Sequence, residues 1–210
     1  MLAAVRTGIL GGTFDPIHIA HLHAGETALH GASLDRVLFM PAGEPWQKGD
    51  RALTPASHRL EMTRLAIEGV DGFEVDEREI HRDGPTYTID TLLSFAPDER
   101  LFLILGADAA VGLPTWHRRE AILQRAGILV VPRPGTDLSL VAGSVPTAVM
   151  LDMAALDVSS TMVRAMAAEG RPYRFLVPAE VHGYIETTGF YTQSGSGDRV
   201  GVANEQEESP

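Results

Sequence analysis

The sequence contains no cysteine and a single lysine, and each shortage excludes a class of chemistry. Without cysteine the chain cannot form disulfides, thiolate metal sites or a cysteine nucleophile. The lysine, Lys48, stands between Gln47 and Gly49, so the chain has no G-K-[ST] phosphate-binding loop. Any nucleotide phosphate must therefore be bound by another kind of loop.

Positive charge and long hydrophobic runs are also scarce. The chain has 17 basic and 28 acidic residues and a formal net charge of −11, which disfavours nonspecific binding to nucleic acid or to anionic membranes. The longest apolar stretches, such as 101–107, are far shorter than the ~20 residues of a membrane span. Arg6 interrupts the first apolar run, unlike in a signal peptide. We therefore expect a cytoplasmic protein that binds neither nucleic acid nor membranes.

Short apolar runs alternate with stretches that have helical patterning. The apolar runs predict strands at 5–10, 36–41, 101–105 and 128–132, with shorter candidates at 73–76 and 148–152. Helices are predicted near 19–30, 57–68, 88–95, 118–125, 160–168 and 178–187. This alternation predicts an α/β fold with a Rossmann-like, doubly wound parallel sheet and helices on both faces. Ligands are then expected at the carboxyl ends of the strands.

The end of the chain differs in composition from the rest. Residues 192–210 are rich in glycine, serine and acidic residues and have almost no large apolar side chains. Such a segment cannot bury enough surface to offset its ordering entropy. We predict a single domain over residues 1–191 and a disordered acidic tail over 192–210. The tail carries a charge of −3, which leaves −8 on the domain.

The most distinctive segment follows the first predicted strand and reads Gly-Gly-Thr-Phe-Asp-Pro-Ile-His-Ile-Ala-His over residues 11–21. Two glycines at a strand end let the backbone pass close to a ligand and expose N–H groups. A helix that begins near His18 adds further N–H groups and a dipole that favour an anion. His18 and His21 should share one face of this helix. Neutral imidazoles there can donate to phosphate, and a charged one can offset charge that develops as a phosphate bond breaks.

This segment also has other interpretations. A strand followed by two glycines and a helix occurs as simple packing. A pair of histidines three residues apart occurs as half of a metal site, for which Asp15 and His23 are the nearest further ligands.

A second segment, 158–164, opens a helix late in the chain. Its hydroxyl residues Ser159, Ser160 and Thr161 can cap the helix and offer donors, and Arg164 lies one turn further on, where it can reach back to an anion. The alternative is an ordinary capped helix with a solvated arginine.

Together these segments resemble the GTFDPIHxGH and ISSTxxR elements of the nucleotidyltransferases that share the HxGH motif with class I aminoacyl-tRNA synthetases. Four further stretches are similar to one branch, the bacterial nicotinate mononucleotide adenylyltransferases; they are 41–48, 84–91, 106–109 with Trp116, and 133–135. The resemblance runs from about Gly8 to Tyr191. Two residues depart from the pattern: Ala20 replaces a glycine, and Gln47 replaces the histidine of Pro-Pro-His-Lys.

The resemblance implies adenylyl transfer from ATP to nicotinate mononucleotide in NAD biosynthesis. Its implied catalytic residues are His18, His21 and Arg164. Its implied ATP-binding residues are Gly11, Gly12, Thr13, Phe14, His18, His21, Gly106, Asp108, Ser159, Ser160, Thr161 and Arg164. Its implied residues for nicotinate mononucleotide are Lys48, Thr86, Tyr87, Trp116, His117 and Arg133. Within these sets, Gly106 and Asp108 would lie at the ribose, and Trp116 would stack on the pyridine ring. Thr86 and the backbone N–H of His117 would hold the carboxylate. Mg²⁺ is expected as the ATP counterion, without a metal site on the protein.

The implied chemistry asks little of the protein beyond positioning and electrostatics. The phosphate of the mononucleotide is already an anion, so it can attack the α-phosphorus of ATP in line without a protein nucleophile or base. Two alternatives stay open: nucleotidyl transfer to another phosphorylated acceptor, such as phosphopantetheine, and a nucleotide sensor without catalysis. The sequence also leaves open whether the chain forms a homo-oligomer.

Overall fold

The computed structural model describes residues 4–43, 53–82, 84 and 86–192. Within these ranges six strands form one sheet; they are β1 (Arg6–Gly12), β2 (Arg36–Pro41), β3 (Phe73–Val75), β4 (Arg100–Gly106), β5 (Ala126–Val131) and β6 (Val149–Met150). The strand order is β3-β2-β1-β4-β5-β6, and every neighbouring pair is parallel. The predicted doubly wound parallel sheet is confirmed.

The described chain has eight α-helices, of which the first six lie between strands and the last two follow β6. They are α1 (Ile19–Gly31), α2 (Ala56–Ile67), α3 (Thr88–Leu93), α4 (Ala107–Gly112), α5 (Arg119–Arg125), α6 (Leu138–Ser144), α7 (Ser160–Ala168) and α8 (Ala179–Thr188). The sequence patterns missed α4, which ends in Gly112, and α6, which contains Gly143, because glycine weakens a helical pattern in such short segments. No helix in the described ranges is long and apolar enough to cross a bilayer.

The sheet separates two hydrophobic cores, as the alternation of its side chains requires. Leu10 of β1 packs into a core that includes buried residues of α1, α2, α7 and α8, whereas its neighbour Ile9 packs into a core with α3, α4, α5 and α6. Phe39 and Leu38 of β2 divide between the two cores in the same way. Helices therefore cover both faces, as predicted.

The strand order reverses between β1 and β4, which are neighbours at the centre of the sheet. The chain runs from β1 towards β2 on one side and from β4 towards β5 on the other, so the loops after β1 and β4 diverge and leave a crevice at the carboxyl ends. Gly12 ends β1 and Gly106 ends β4. The loop that follows β1 and the 106–109 stretch therefore meet at this crevice.

Some predictions concern residues outside the described ranges. Lys48 and Gln47 lie in the segment 44–52, which is outside the described ranges. The predicted tail is also outside them, apart from Thr192. The role of Lys48, the domain boundary at residue 191, the disordered tail and the cytoplasmic location stay predictions.

Candidate active site

A cavity of about 510 Å³ opens at the carboxyl ends of β1 and β4. Among its lining residues are all the predicted site residues that the structure describes: Gly11, Gly12, Thr13, Phe14, His18, His21, Thr86, Tyr87, Gly106, Asp108, Trp116, His117, Arg133, Ser159, Ser160, Thr161 and Arg164. Lys48 lies outside the described residues. Segments that are far apart in the sequence thus meet in one cavity, which is large enough for a small-molecule ligand.

The first loop, residues 13–18, turns sharply between β1 and α1. Phe14 has a positive φ of 48°, which is uncommon for a residue with a side chain. This conformation buries the Phe14 ring, which contacts the His21 ring edge-on with centroids 5.0 Å apart. A Cβ atom at Gly12 would lie only 2.6 Å from the Phe14 ring, whereas one at Gly11 would meet open space. Gly12 is therefore required for packing.

His18 and His21 lie together at the start of α1, as their spacing predicts. Their rings stack with centroids 3.7 Å apart and an angle of 24° between the planes. His18 is the N-cap residue, and its backbone N–H donates to Nδ1 of His21 at 3.3 Å. A neutral imidazole that accepts at Nδ1 carries its proton on Nε2. The helix start therefore selects the tautomer in which Nε2 of His21 is a donor.

His18 is a neutral imidazole at neutral pH. Burial and, to a smaller extent, the positive charge of Arg133 lower its pKa from 6.5 to about 3. The side chain is only 1% exposed, and its Nδ1 atom has no hydrogen-bond partner. Of the two roles considered for the histidines, His18 is thus suited to hydrogen bonding and not to carrying charge.

The start of α7 packs directly against the first loop. Ser159 caps the helix by accepting a hydrogen bond from the Met162 N–H at 3.2 Å. The Ser160 hydroxyl donates to the Pro16 carbonyl at 2.9 Å. Arg164 donates from Nη1 to the Asp15 carbonyl at 2.5 Å. The late segment therefore holds the first loop in place, in addition to lining the cavity.

Asp108 and Arg133 lie where β4 and β5 end. The Asp108 carboxylate is 3.7 Å from Nε of Arg133, and both side chains are partly exposed. Gly106 leaves room for them, because a Cβ there would lie 2.6 Å from Oδ1 of Asp108 and 3.1 Å from Nε of Arg133. The pair places opposite charges side by side at the mouth of the cavity.

The cavity lining also includes the residues predicted for a pyridine ring and its carboxylate, here called the pyridine wall: Thr86, Tyr87, Trp116 and His117. Trp116 is half-buried at the end of a 3₁₀ turn, Leu113–Thr115. Tyr87 and His117 contact each other with ring centroids 4.6 Å apart. Thr86 is 9% exposed, and its hydroxyl oxygen is buried without a partner. A flat aromatic acid would find aromatic faces and an unused hydroxyl on this wall.

Two polar atoms in the cavity therefore lack partners. Among the described residues, three buried side-chain nitrogen or oxygen atoms make no hydrogen bond: Nδ1 of His18, Oγ1 of Thr86 and Nε of Arg119. The first two line the cavity, and Arg119 does not. Because buried polar groups are almost always paired in folded proteins, orphaned atoms in a cavity are candidates for pairing with a bound ligand or with water.

Sequence reasoning missed a buried arginine behind the first loop. Arg59 of α2 is 1% exposed. Its guanidinium donates to three carbonyls: Nη1 to Thr13 at 2.7 Å, Nη2 to Gly43 at 3.0 Å and Nε to Thr54 at 3.0 Å. Burial lowers the pKa of Arg59, and the nearby Asp15 carboxylate opposes that shift. No local signal distinguishes this arginine from a solvated one.

Sequence reasoning also missed the partner of Asp15. The carboxylate is fully buried and accepts a hydrogen bond from the Tyr191 hydroxyl at 2.6 Å. The Tyr191 oxygen in turn accepts from the Thr54 hydroxyl at 3.1 Å. Burial and the Asp15 carboxylate raise the pKa of Tyr191, so it stays a neutral donor. These bonds tie the first loop to a residue at the end of the described chain.

The metal-site interpretation of the two histidines has no support in this geometry. Across residues 4–43, 53–82, 84 and 86–192, no group of three or more histidine, cysteine or acidic side chains could hold a metal ion. Asp15 accepts from Tyr191, and His23 lies 3.8 Å from Glu26.

Comparisons with known proteins identify the relatives of this chain. A family model described as cytidylyltransferase-like matches residues 9–166. A protein of Roseiflexus sp. (strain RS-1), named "probable nicotinate-nucleotide adenylyltransferase", is 44% identical over 198 residues, which cover 90% of this chain and all of the relative. A protein of Corynebacterium kroppenstedtii with the same name is 43% identical over 198 residues, covering 90% of this chain and 92% of the relative.

Solved structures share the fold at low sequence identity. The nicotinic acid mononucleotide adenylyltransferase of Plasmodium falciparum complexed with APC superposes with a TM-score of 0.74 at 19% identity, over 89% of this chain and 97% of that chain. The same protein complexed with NaAD gives a TM-score of 0.72 at 18% identity over the same shares. These structures support the sheet topology described above.

Proposed function

This chain belongs to the nicotinate-nucleotide adenylyltransferase family of cytidylyltransferase-like proteins, and we propose that its cavity binds ATP beside nicotinate mononucleotide. The enzyme transfers the adenylyl group of ATP to the phosphate of the mononucleotide, which gives nicotinate adenine dinucleotide and pyrophosphate. The two substrates meet where the first loop faces the wall that contains Thr86 and Trp116.

The observation that carries this assignment of residues is the pair of orphaned atoms. Nδ1 of His18 and Oγ1 of Thr86 are buried, lack protein partners and line the same cavity. One lies on the loop at which an anion is expected and the other on the wall at which an aromatic acid is expected. Bound substrate would pair both atoms and recover the cost of burying them.

The reaction proceeds by in-line displacement at the α-phosphorus of ATP. An oxygen of the mononucleotide phosphate forms a bond to the α-phosphorus, and the bond from that phosphorus to the bridging α–β oxygen breaks. The bond electrons leave with pyrophosphate, so no proton has to move. The protein positions two anions and stabilises the charge that develops on the leaving group.

The first loop and α1 supply the donors for that charge. The Nε2–H of His21 can donate to a phosphate oxygen, because the backbone N–H of His18 occupies Nδ1. His18 adds a second neutral imidazole, which stacks on the His21 ring. Ser160 and Arg164 act on the same loop by fixing the Pro16 and Asp15 carbonyls.

Mg²⁺ fits this site as part of the ATP substrate. In the described chain no cluster of acidic side chains or histidines could hold the ion, so phosphate oxygens and water would hold it. The ion neutralises part of the triphosphate charge when it is bound. The protein's own contribution stays with the donors of the first loop and α1.

The pyridine wall accounts for selection of the acid. Trp116 offers an aromatic face, and the Thr86 hydroxyl and the backbone N–H of His117 offer donors to a carboxylate. An amide in place of the carboxylate would lose charge-assisted hydrogen bonds and set its own N–H groups against those donors. We therefore expect nicotinate mononucleotide to be preferred over its amide.

Release of pyrophosphate tests the proposal. The protein is incubated with ATP, Mg²⁺ and one of three acceptors: nicotinate mononucleotide, its amide or phosphopantetheine. We expect release with the first acceptor and much less with the other two. Greater release with phosphopantetheine would reassign the acceptor, and no release with any acceptor would indicate a nucleotide sensor.

A further inference from the structure

We propose that Arg59 is a positioning residue that holds the loops for both substrates in one arrangement. This inference rests on the proposed function, because it concerns how the two subsites are kept in register. Arg59 lies on α2, behind the cavity, and is not among the cavity-lining residues. It acts through backbone carbonyls and not through contact with substrate.

The first contact sets the loop after β1. Nη1 of Arg59 donates to the Thr13 carbonyl at 2.7 Å. That carbonyl belongs to the peptide that carries the Phe14 N–H, at the point where the chain adopts its positive φ. A charged donor on the carbonyl fixes the orientation of this peptide and polarises it. The histidine-bearing end of the loop follows a few residues later.

The second contact sets the loop after β2. Nη2 of Arg59 donates to the Gly43 carbonyl at 3.0 Å. Gly43 itself is pressed against the backbone of Glu79, since a Cβ at residue 43 would lie 2.2 Å from the Glu79 carbonyl oxygen. The position of residue 43 therefore determines how closely the segment around Glu79 can approach.

That segment leads to the pyridine wall. The Glu79 carboxylate accepts a hydrogen bond from the Thr91 hydroxyl at 2.7 Å. Thr91 lies in α3, which begins at Thr88, directly after Thr86 and Tyr87. Glu79, Thr86 and Thr91 all line the cavity. A continuous set of contacts thus runs from the first loop through Arg59 and Gly43 to the wall for the nicotinate ring.

Arginine suits this position for a geometric reason. The rigid guanidinium directs donors along different lines, so one side chain reaches carbonyls of three separate segments. Lysine keeps the charge, but its compact ammonium cannot satisfy three such divergent acceptors from one place. A buried carbonyl without a donor is unfavourable, so the loops would shift until these carbonyls were paired with other donors.

The test compares Arg59→Lys with Thr63→Val. Thr63 lies one turn further along α2, is fully buried and donates to the Arg59 carbonyl at 2.8 Å, so its replacement weakens the same helix without removing a loop contact. We expect Arg59→Lys to lower kcat/KM for both substrates by about 10- to 100-fold, the size expected for reacting groups displaced by about 1 Å. Thr63→Val should lower Tm and leave kcat/KM for both substrates near the values of the unmodified protein.

Thermal unfolding and ATP binding by calorimetry complete the design. If Arg59→Lys does not fold, Arg59→Gln, which removes the buried charge, carries the same expectation. A loss of Tm with kcat/KM unchanged for both substrates would overturn the proposal, and so would a loss of kcat/KM confined to one substrate. An unmodified protein that releases no pyrophosphate would contradict the proposed function. Weaker ATP binding by the Arg59 variant would then still support its role at the first loop.

Discussion

Replacing Thr86 by valine should weaken binding of nicotinate mononucleotide and, at the same time, stabilise the ligand-free protein. The Thr86 hydroxyl is buried and has no partner in the described structure, so no hydrogen bond offsets the free energy that its desolvation costs. Valine has nearly the same shape and removes that hydroxyl. We expect the free energy of unfolding to rise by about 1–3 kcal/mol.

The effect on substrate has the opposite sign. A hydrogen bond to a charged group contributes about 1.5–3 kcal/mol, which corresponds to about 10- to 150-fold in KM for the acid. The loss should be smaller for the amide, because a hydrogen bond to a neutral group contributes about 0.5–1.5 kcal/mol. The variant should therefore also discriminate less between the acid and the amide.

Pyrophosphate release at varied mononucleotide and saturating ATP measures KM, and thermal unfolding measures stability, with about 2–4 °C expected per kcal/mol. Thr91→Val is the matched control. Thr91 is also buried, but its hydroxyl donates to Glu79 and accepts from Arg82, so its removal should lower Tm. A fall in Tm for Thr86→Val with an unchanged KM would refute the assignment of this hydroxyl.

Three further substitutions probe the histidines and the tryptophan. His21→Ala should lower kcat by roughly 10²-fold, since one preorganised donor is lost, and should lower Tm modestly, because the acceptor of the His18 N–H and the contact with Phe14 are also lost; near-normal pyrophosphate release would contradict its role. Trp116→Ala should raise KM for nicotinate mononucleotide and leave ATP binding by calorimetry unchanged; equal weakening of both would exclude stacking on the pyridine. His18→Gln should flatten the dependence of stability on pH. The folded pKa of His18 is about 3 against 6.5 in the unfolded chain, so the unmodified protein loses stability as pH falls from about 6.5 towards 3, when only the unfolded imidazole gains a proton. Urea unfolding over this range measures the slope, and identical slopes would show that His18 is not the group responsible.

Local patterns were enough to predict most of the fold. The strand at 36–41 has the predicted bounds, and the other strands differ by a few residues at their ends. Buried parallel strands are continuous apolar runs, so their positions can be read without knowledge of their neighbours. The helices α4 and α6 could not be predicted in this way, because each contains a glycine that weakens its helical pattern.

In the candidate site, too, local sequence predicts some features and not others. His18 and His21 are three residues apart on one helix, so their stacking follows from helix geometry. Arg59 and the carbonyls of Thr13 and Gly43 are separated by 46 and 16 residues, and Tyr191 and Asp15 by 176. Contacts at such separations depend on how the helices pack against the sheet, and no local pattern encodes them.

The sequence by itself determined the α/β alternation, the absence of a G-K-[ST] loop and the segments that meet in the cavity. Only the tertiary structure decided that His18 is neutral, that Ser160 and Arg164 bond to the first loop, and that Arg59 is buried behind it. The physical reason is that charge state and hydrogen-bond partners depend on desolvation and on distances between remote segments. Those quantities exist only once the chain has folded.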